Sequence, residues 1–501
     1  MNQLRHNMAT VEITDVALPN NYGVAKEDGL VIFVPDAVPG DRVRVRIIKE
    51  SKRFAYGEIV EMLIPSPFRV SPECPHFGPC GGCTFQNFTY EKQLEIKENY
   101  LLQTLKRIGG LNTECIKISP IIPSPDIFFY RNKLELSFGN QDGSITLGLR
   151  ERVSPFKGYE GNVIPLKTCL ISSHAVEKII PLFAEFAKKH GLAAYNPLTG
   201  HGFLRHLILR ESKTTGELMA ILETKEGIIP DLIPPENPLS PPFPEQNRFG
   251  TGAKGLNPPS PPFIKGGNWG GLWQALTKFV PEIKSLYRII NNKPGDDFHP
   301  EKSYCIAGKP YIEETLNNIK FRVFPESFFQ PNTKSAEILY RKIVELTRLE
   351  PYEKVLGLYC GAGPIEISLS QHAKEVIGID STHTNIINAR ENCRLNGIKN
   401  CLFYEGKIET VLNTVNLKDV DLLIVDPPRA GISKKGLEYI FKLHPQKIGY
   451  VSCNPSTLAR DLKILQHNHY HIISIIPFDF FPHTSHLETL ATLAKFSDSV
   501  R

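Results

Sequence analysis

The period of the apolar positions changes along this chain, and each change marks a different kind of structure. Across residues 11–65 apolar and polar residues alternate in short runs, 11–16, 29–34, 42–48 and 57–62, with turn residues such as Pro39-Gly40-Asp41 between them. A period of two is that of a strand with one buried face, and short strands at this spacing predict a small OB-like β-barrel. Helical spacing follows at Leu94, Ile96, Tyr100, Leu101 and Leu105, predicting a helix over 90–107 that Gly109-Gly110 stops. Residues of about 120–225 mix strand-like runs (133–138, 145–149, 202–210, 217–223) with a helix near 174–190, an α+β pattern.

From about residue 325 the two periods alternate. Strands are expected at 354–360, 375–380, 401–405, 421–425, 447–453, 471–477 and 488–495. Helices fit at 332–347, 365–372, 384–396, 435–442 and 456–468. That alternation implies a mostly parallel, doubly wound, Rossmann-like sheet. The chain thus divides into a barrel (1–70), a middle domain (71–324) and a C-terminal domain (325–501). Within the middle domain, 234–271 is dominated by Pro, Gly, Ser and Asn, and Asn237-Pro238-Leu239-Ser240-Pro241-Pro242-Phe243 recurs almost unchanged from Asn257. Such a composition supports no packed core and reads as a flexible surface insertion.

Composition narrows the class. The chain has 501 residues with 58 Lys and Arg against 53 Asp and Glu, a net charge of +5, which permits an anionic partner without demanding one. No apolar run is long enough to span a membrane, and the N-terminus lacks the apolar centre of a signal peptide, so a cytoplasmic location is expected. In that setting ten cysteines point to metal or catalytic roles rather than a disulfide framework. Residues 11–65 hold seven Lys and Arg against nine Asp and Glu, yet Arg42, Arg44 and Arg46 share one strand face. A solvated barrel face and an RNA-contacting stripe explain that face equally well.

The chemistry-bearing residues fall at strand ends of the C-terminal pattern. Cys453 lies between the run 447–451 and a helix-like run from Ser456, at the edge of an open α/β sheet where ligands bind. Asp426, in Asp426-Pro427-Pro428-Arg429, and Glu488 are placed for the same edge. Thiol and carboxylates together make a candidate covalent-catalysis site. The turn Tyr359-Cys360-Gly361-Ala362-Gly363 with Asp380 at the end of the next strand suits a nucleoside cofactor: glycines allow close approach and the acid can bind a ribose diol. The turn is shorter than the pyrophosphate-binding motif, which favours S-adenosylmethionine over a dinucleotide. A second constellation, Cys74-x5-Cys80-x2-Cys83, gathers three thiols on one glycine-rich turn. Cysteine ligation suits a [4Fe–4S] cluster or structural zinc, the asymmetric set favouring the cluster, with His76 an alternative zinc ligand. Cys115, Cys305, Cys360, Cys393 and Cys401 read as packing residues.

Five motifs, in this order, resemble the uracil-C5 RNA methyltransferases. They are Phe328-Phe329-Gln330-Pro331-Asn332-Thr333, Leu358-Tyr359-Cys360-Gly361-Ala362-Gly363, Asp426-Pro427-Pro428-Arg429-Ala430-Gly431, Val451-Ser452-Cys453-Asn454-Pro455 and Phe481-Pro482-His483-Thr484-Ser485-His486-Leu487-Glu488-Thr489. The chain is most similar to the bacterial enzymes of that family that act on 23S rRNA, which carry a TRAM barrel and an iron–sulfur cluster. The resemblance implies Cys453 as nucleophile and Glu488 as general base. It implies Gln330, Tyr359, Asp380 and Asp426 around S-adenosylmethionine, and Cys169 as the fourth ligand of a [4Fe–4S] cluster with Cys74, Cys80 and Cys83. RNA is the implied partner, 23S rRNA first and tRNA as the alternative, with no membrane and no obligate protein partner; a non-catalytic RNA-binding or assembly protein is the third reading. Candidate RNA contacts are the Arg42/Arg44/Arg46 face, Tyr130-Arg131-Asn132-Lys133 and Phe203-Leu204-Arg205-His206. His483 and His486 are expected in core or RNA-contacting roles. Four positions depart from the family pattern: Gly357 where aspartate is usual, Asp380 where glutamate is usual, Lys407 where an acid is common, and Pro331 within the first motif.

Overall fold

Alternating Val43, Val45 and Ile47 turn one face of the strand Arg42–Glu50 into a small core, while Arg42, Arg44 and Arg46 face solvent. The computed structural model describes residues 8–153, 155–156, 161–229, 271–415, 417 and 419–496. The N-terminal part is a curled six-stranded sheet with Arg42–Glu50 between Met8–Glu12 and Phe54–Ile64. The strand Tyr22–Glu27, not expected from the sequence, lies between Leu30–Pro35 and the edge strand Asp15–Ala17. On the arginine face, Arg44 pairs with Glu61 at 2.6 Å and Arg46 with Glu58 at 2.7 Å. Two of the three guanidinium groups thus have carboxylate partners at the surface, in pairs that remain about half exposed.

The middle sheet has seven strands, ordered Val163–Pro165, Ser144–Arg150, Lys133–Gln141, Leu204–Glu211, Leu218–Thr224, Ile283–Ile290 and Lys302–Gly308. Helix Val176–Lys189 covers it through Val176, Ile179, Ile180 and Phe183. Leu218–Thr224 pairs in parallel with Ile283–Ile290, so the chain between them is a crossover. The proline-rich insertion expected at 234–271 belongs to that crossover and, apart from Gly271, lies outside the described residues.

The C-terminal sheet has the order Cys401–Glu405, Glu375–Asp380, Lys354–Leu358, Leu422–Val425, Lys447–Ser452, Glu488–Lys495, Tyr470–Phe478 and Lys117–Ile118. The five strands from 401–405 through 447–452 are parallel, and Glu488–Lys495 inserts antiparallel beside Lys447–Ser452. Two segments from earlier in the chain join this unit. The short strand Lys117–Ile118 extends its edge, and helix Tyr90–Thr104, closing in a π-helical turn Leu105–Gly109, buries Leu101 and Leu105 among Leu458, Leu462 and Leu465. Gly110 in the left-handed region (φ 63°) ends the helix as its sequence predicts.

A shared core fixes the middle sheet against the C-terminal one. Ile208, Met219, Ile221, Tyr287 and Ile289 pack in one cluster with Phe321, Leu339, Ile343, Val355 and Ile424.

Candidate active site

Strand register alone brings the candidate residues together. Leu358 pairs with Ile379 and with Val425, and Val425 with Tyr450, so Tyr359, Asp380 and Asp426 leave their parallel strands at one edge. Ser452 pairs with Thr489 in the antiparallel direction, so Cys453 leaves its strand at the edge where Glu488 enters, close enough for the carboxyl to act on the thiol. Glu488 opens a strand that runs against its neighbours, which is why a residue at a strand start reaches the edge where the others end.

The thiol turn is rigidly held. Asn454 caps helix Pro455–His467 by accepting from the Ser456 amide at 3.1 Å, and its Nδ2 donates to the Arg429 carbonyl at 2.9 Å. Thr457 Oγ1 donates to the same carbonyl at 3.3 Å. The far end of the Asp426–Ile432 loop is fixed by Asp461, whose carboxylate accepts from the Ile432 amide at 3.0 Å and from the Tyr450 hydroxyl at 2.8 Å. Asp426 and Cys453 are thereby tied into one frame.

The electrostatics are those of a crowded acidic pocket. Burial pushes the Cys453 thiol up to about 11, the Glu488 and Asp426 carboxyls add to the rise, and the Arg429 guanidinium opposes it. Burial likewise holds Glu488 well above the carboxylate range, aided by Asp426 and opposed by Arg429. Glu488 is only 3% exposed and its Oε2 has no hydrogen-bond partner among the described residues. Asp426 is raised to about 7 by burial, against the Gln330 amide, which donates to its Oδ2 at 3.3 Å. Two acids near one another cannot both ionise cheaply. Arg429, to which the sequence pattern alone assigns no role, is the cation acting on both Cys453 and Glu488. Its place directly after Asp-Pro-Pro is the signal in the chain that marks it.

Asp426 sets a stability prediction. Its folded pKa lies above the unfolded value of roughly 3.9, so the folded state holds that proton more tightly. The stabilisation is complete below the unfolded value and is lost as pH rises towards about 7. Asp426→Asn should therefore raise the melting temperature at pH 8 by about a few degrees while weakening cofactor binding. Thermal unfolding across pH 4–8 checks this, and a variant less stable than wild type at pH 8 contradicts it.

The candidate cofactor loop, 359–363, turns tightly at its glycines. Gly363 has φ 78°, and a Cβ there would stand 2.7 Å from the Phe403 ring. Asp380 closes the loop from the next strand: Oδ2 accepts from the Gly361 amide at 3.0 Å, and Oδ1 from the Thr382 amide at 2.8 Å and Asn385 Nδ2 at 3.2 Å. Oδ2, with a single donor, keeps acceptor capacity for a ribose diol. Tyr359 takes a left-handed backbone (φ 62°) and sits half-buried between strand and loop. Lys407 is exposed and only precedes helix Ile408–Thr414, whereas Pro331 leaves Asn332 free to cap helix Thr333–Thr347 through the Ser335 amide.

The loop before Glu488 docks on the middle of the chain. The His483 carbonyl accepts from the Thr84 and Phe85 amides at 2.9 and 3.0 Å, and Gln93 Oε1 accepts from the His483 amide at 2.8 Å. Lys97 donates to Asp479 at 2.6 Å, both side chains fully buried, and to the Phe481 carbonyl at 3.0 Å. The Tyr130 hydroxyl donates to the Pro482 carbonyl at 3.0 Å. His483 stacks on Phe128 and is held neutral, lowered to about 4 by burial and then Lys97. Burial, with Arg429 and Lys97, lowers His486 similarly to about 4. His483 thus takes the core role.

Part of two candidate RNA clusters is taken up in internal contacts. Asn132 is buried and donates to the Gln330 carbonyl at 2.8 Å. Arg205 is buried and donates to the carbonyls of Lys293 and Gly295, while His206 lies between Glu223 and Asp296. Buried cations need internal partners, and these have them.

Cys74, Cys80, Cys83 and Cys169 line one small cavity with Leu149 and Leu166. Burial is the main cause that raises Cys83 to about 12 and Cys169 to about 11, and neighbouring cysteines of the set add to both. His76 borders the set, its Nδ1 3.8 Å from Cys74 Sγ and its Nε2 accepting from the Lys167 amide at 3.1 Å. Among the described residues no three His, Cys, Asp or Glu converge on a single-ion point. Of the other cysteines, Cys360 and Cys393 are buried in the shared core, and Cys401 packs against it.

Comparison with known proteins agrees with this architecture. A family model described as tRNA (Uracil-5-)-methyltransferase matches residues 300–496, and the TRAM domain model matches residues 8–60. A Bacillus cereus protein named an uncharacterized RNA methyltransferase is 32% identical over 475 residues, covering 94% of both chains. A Clostridium tetani protein of the same description is 34% identical over 487 residues, covering 97% of both. The crystal structure of Pyrococcus abyssi tRNA (uracil-54, C5)-methyltransferase in complex with S-adenosyl-L-homocysteine superimposes with a TM-score of 0.69 at 28% identity, covering 97% of this chain and all of that one. No described helix is long and apolar enough to cross a membrane.

Proposed function

The chain belongs to the RNA methyltransferase family of these relatives, and on that premise we propose that it methylates carbon 5 of a uridine in 23S rRNA through a covalent Cys453 adduct. The observation that carries the chemistry is the strand pairing that brings Cys453 and Glu488 to one edge, with Asp426 and Arg429 acting on both. When bound, S-adenosylmethionine supplies an electrophilic methyl group; Tyr359, Asp380, Gln330 and Asp426 are the residues that would hold it.

Carbon 5 of uracil is a weak nucleophile. The Cys453 thiolate adds to carbon 6, and the ring electrons move to an enolate whose carbon 5 can take the methyl group. Glu488, ionised, then removes the carbon 5 proton, and the electron pair of that C–H bond expels the thiolate. Both reactive forms are the deprotonated ones, and both pKa values are raised by burial. The rate should therefore climb with pH through the neutral and alkaline range, and a rate that falls above pH 7 with the enzyme still folded would contradict the assignment. Arg429, the cation that opposes both rises, steadies the thiolate. The substrate base has to leave its stack to reach this edge, which favours loop or single-stranded RNA.

Cys74, Cys80, Cys83 and Cys169 fit a [4Fe–4S] cluster better than zinc. A zinc ion draws its sulfurs to about 2.3 Å from one point, whereas a four-iron cube fills a space with thiolates around its outside. The role proposed is structural. The cluster turn leads directly into Thr84 and Phe85, whose amides hold the His483 carbonyl in the loop that enters Glu488. Anaerobically purified protein should be brown and iron-bearing, and Cys83→Ser should bleach it and lower both melting temperature and activity; a colourless, zinc-loaded wild type would reject the cluster.

A second target, tRNA, is favoured by the likeness to the Pyrococcus enzyme. Mapping 5-methyluridine in total 23S rRNA and tRNA, with and without the protein, decides between them. Loss of the mark from tRNA alone would overturn the rRNA assignment.

A further inference from the structure

Glycine in the middle of a central parallel strand is unfavourable, because it packs nothing and restrains the backbone least. Gly357 stands there, paired with Gly378 on one side and Ile424 on the other. The reason is a close approach: a Cβ on Gly357 would lie 2.0 Å from Glu366 Oε1 and 2.7 Å from its Cδ. Glu366 belongs to the short helix Pro364–Leu369, and only residues 359–363, the proposed cofactor loop, separate that helix from the strand. Its carboxyl reaches back beneath the loop into the space that a side chain at 357 would fill.

Glu366 is 1% exposed, and its Oε2 has no partner among the described residues. Burial first, then Asp426 and Asp380, raise its pKa to about 8. The titratable groups around it are Asp380 and Asp426 from the flanking strand ends, Cys360 from the loop, Cys393 from the adjacent helix, Cys401, whose Sγ lies 3.9 Å from the Glu366 carbonyl, and Tyr340 from helix Thr333–Thr347. None of these neighbours is a cation. Burial without a cation nearby thus favours the protonated carboxyl, beside Asp380 and Asp426.

We propose that Glu366 is a cofactor-positioning residue, seated against Gly357 so that the two together set the height of the loop 359–363. The inference rests on the S-adenosylmethionine reading above. It assigns Gly357 a physical reason: a larger residue there and a carboxyl at 366 compete for one space, so the two positions are coupled.

The test is equilibrium binding of S-adenosylhomocysteine by calorimetry, with melting temperature read in parallel on ligand-free protein. Glu366→Ala should weaken binding at least about tenfold and raise KM for S-adenosylmethionine with little change in kcat, while Glu366→Gln, which keeps the shape and the neutral charge, should bind like wild type. Gly357→Asp should weaken binding and lower the melting temperature, and the pair Gly357→Asp/Glu366→Ser should recover most of both. Wild-type affinity in Glu366→Ala overturns the inference alone, as does a double variant no better than Gly357→Asp; the pair keeps the test decisive if Glu366→Ala folds poorly. Wild-type protein that binds no S-adenosylhomocysteine overturns the cofactor reading and this inference with it.

Discussion

Cys453→Ala should abolish methyl transfer, with kcat falling by at least about 10⁴-fold, while RNA binding stays within about threefold of wild type. The size follows from the proposed mechanism. Without sulfur on carbon 6 the uracil ring has no enolate, so the variant loses the pathway and not merely a favourable contact. The folded state should tolerate the change, because Cys453 is half-buried on a turn fixed by Asn454, Thr457 and Asp461 rather than by its own side chain. The discriminating readout is covalent. With 5-fluorouridine RNA and S-adenosylmethionine, wild-type protein should form a stable adduct visible on a denaturing gel, since fluorine cannot leave as a proton does. Cys453→Ala should form none. An adduct that persists in the variant would move the nucleophile elsewhere; Cys360, buried beneath the loop with its thiol raised well above the ordinary range, is poorly placed to take over.

Much of this site is legible in the chain because its residues sit where the period breaks. Asp380, Asp426 and Cys453 each end an apolar run, and in a parallel sheet run ends share an edge. Other features are hidden for definite reasons. The hairpin of Ile312–Leu316 and Ile319–Val323 escapes a sequence reading because Glu314 occupies an inward position between Ile312 and Leu316. It is tolerable there only because Ser212, Thr333 and the Lys213 amide donate to its carboxylate, and those partners are distant in sequence. The basic clusters mislead for the same reason. Arg205 and His206 look like surface cations until Glu223, Asp296 and two carbonyls close around them. The helix Tyr90–Thr104 belongs by sequence to the middle domain, yet it packs on the C-terminal core and supplies Gln93 and Lys97 to the loop before Glu488. Glu366 carries no signal at all, since a glutamate in a helix ordinarily faces solvent; only the glycine opposite it marks the contact.

Glu488→Gln should give the opposite signature to the loss of Cys453, and that contrast tests the division of labour. Glutamine keeps the shape, so thiolate addition and methyl transfer proceed, but it cannot accept the carbon 5 proton. Turnover should drop by about 10²–10⁴-fold, and enzyme should accumulate as a covalent complex with ordinary uridine RNA and S-adenosylmethionine, without fluorine. One methyl group per enzyme should be transferred in a fast first turnover, with the defect confined to release. Folding should not suffer. Glu488 is held well above the carboxylate range by burial, so the native state carries a proton that the unfolded chain gives up, and its stabilising effect is lost as pH rises from the ordinary carboxylate range. A neutral amide escapes that loss, so the variant should melt at or above the wild-type temperature at pH 8. A Glu488→Gln enzyme that turns over at the wild-type rate, or that stalls without any protein-bound RNA, would show that another group takes the proton. Asp426 is then the next to examine, being the other carboxyl that acts on Cys453.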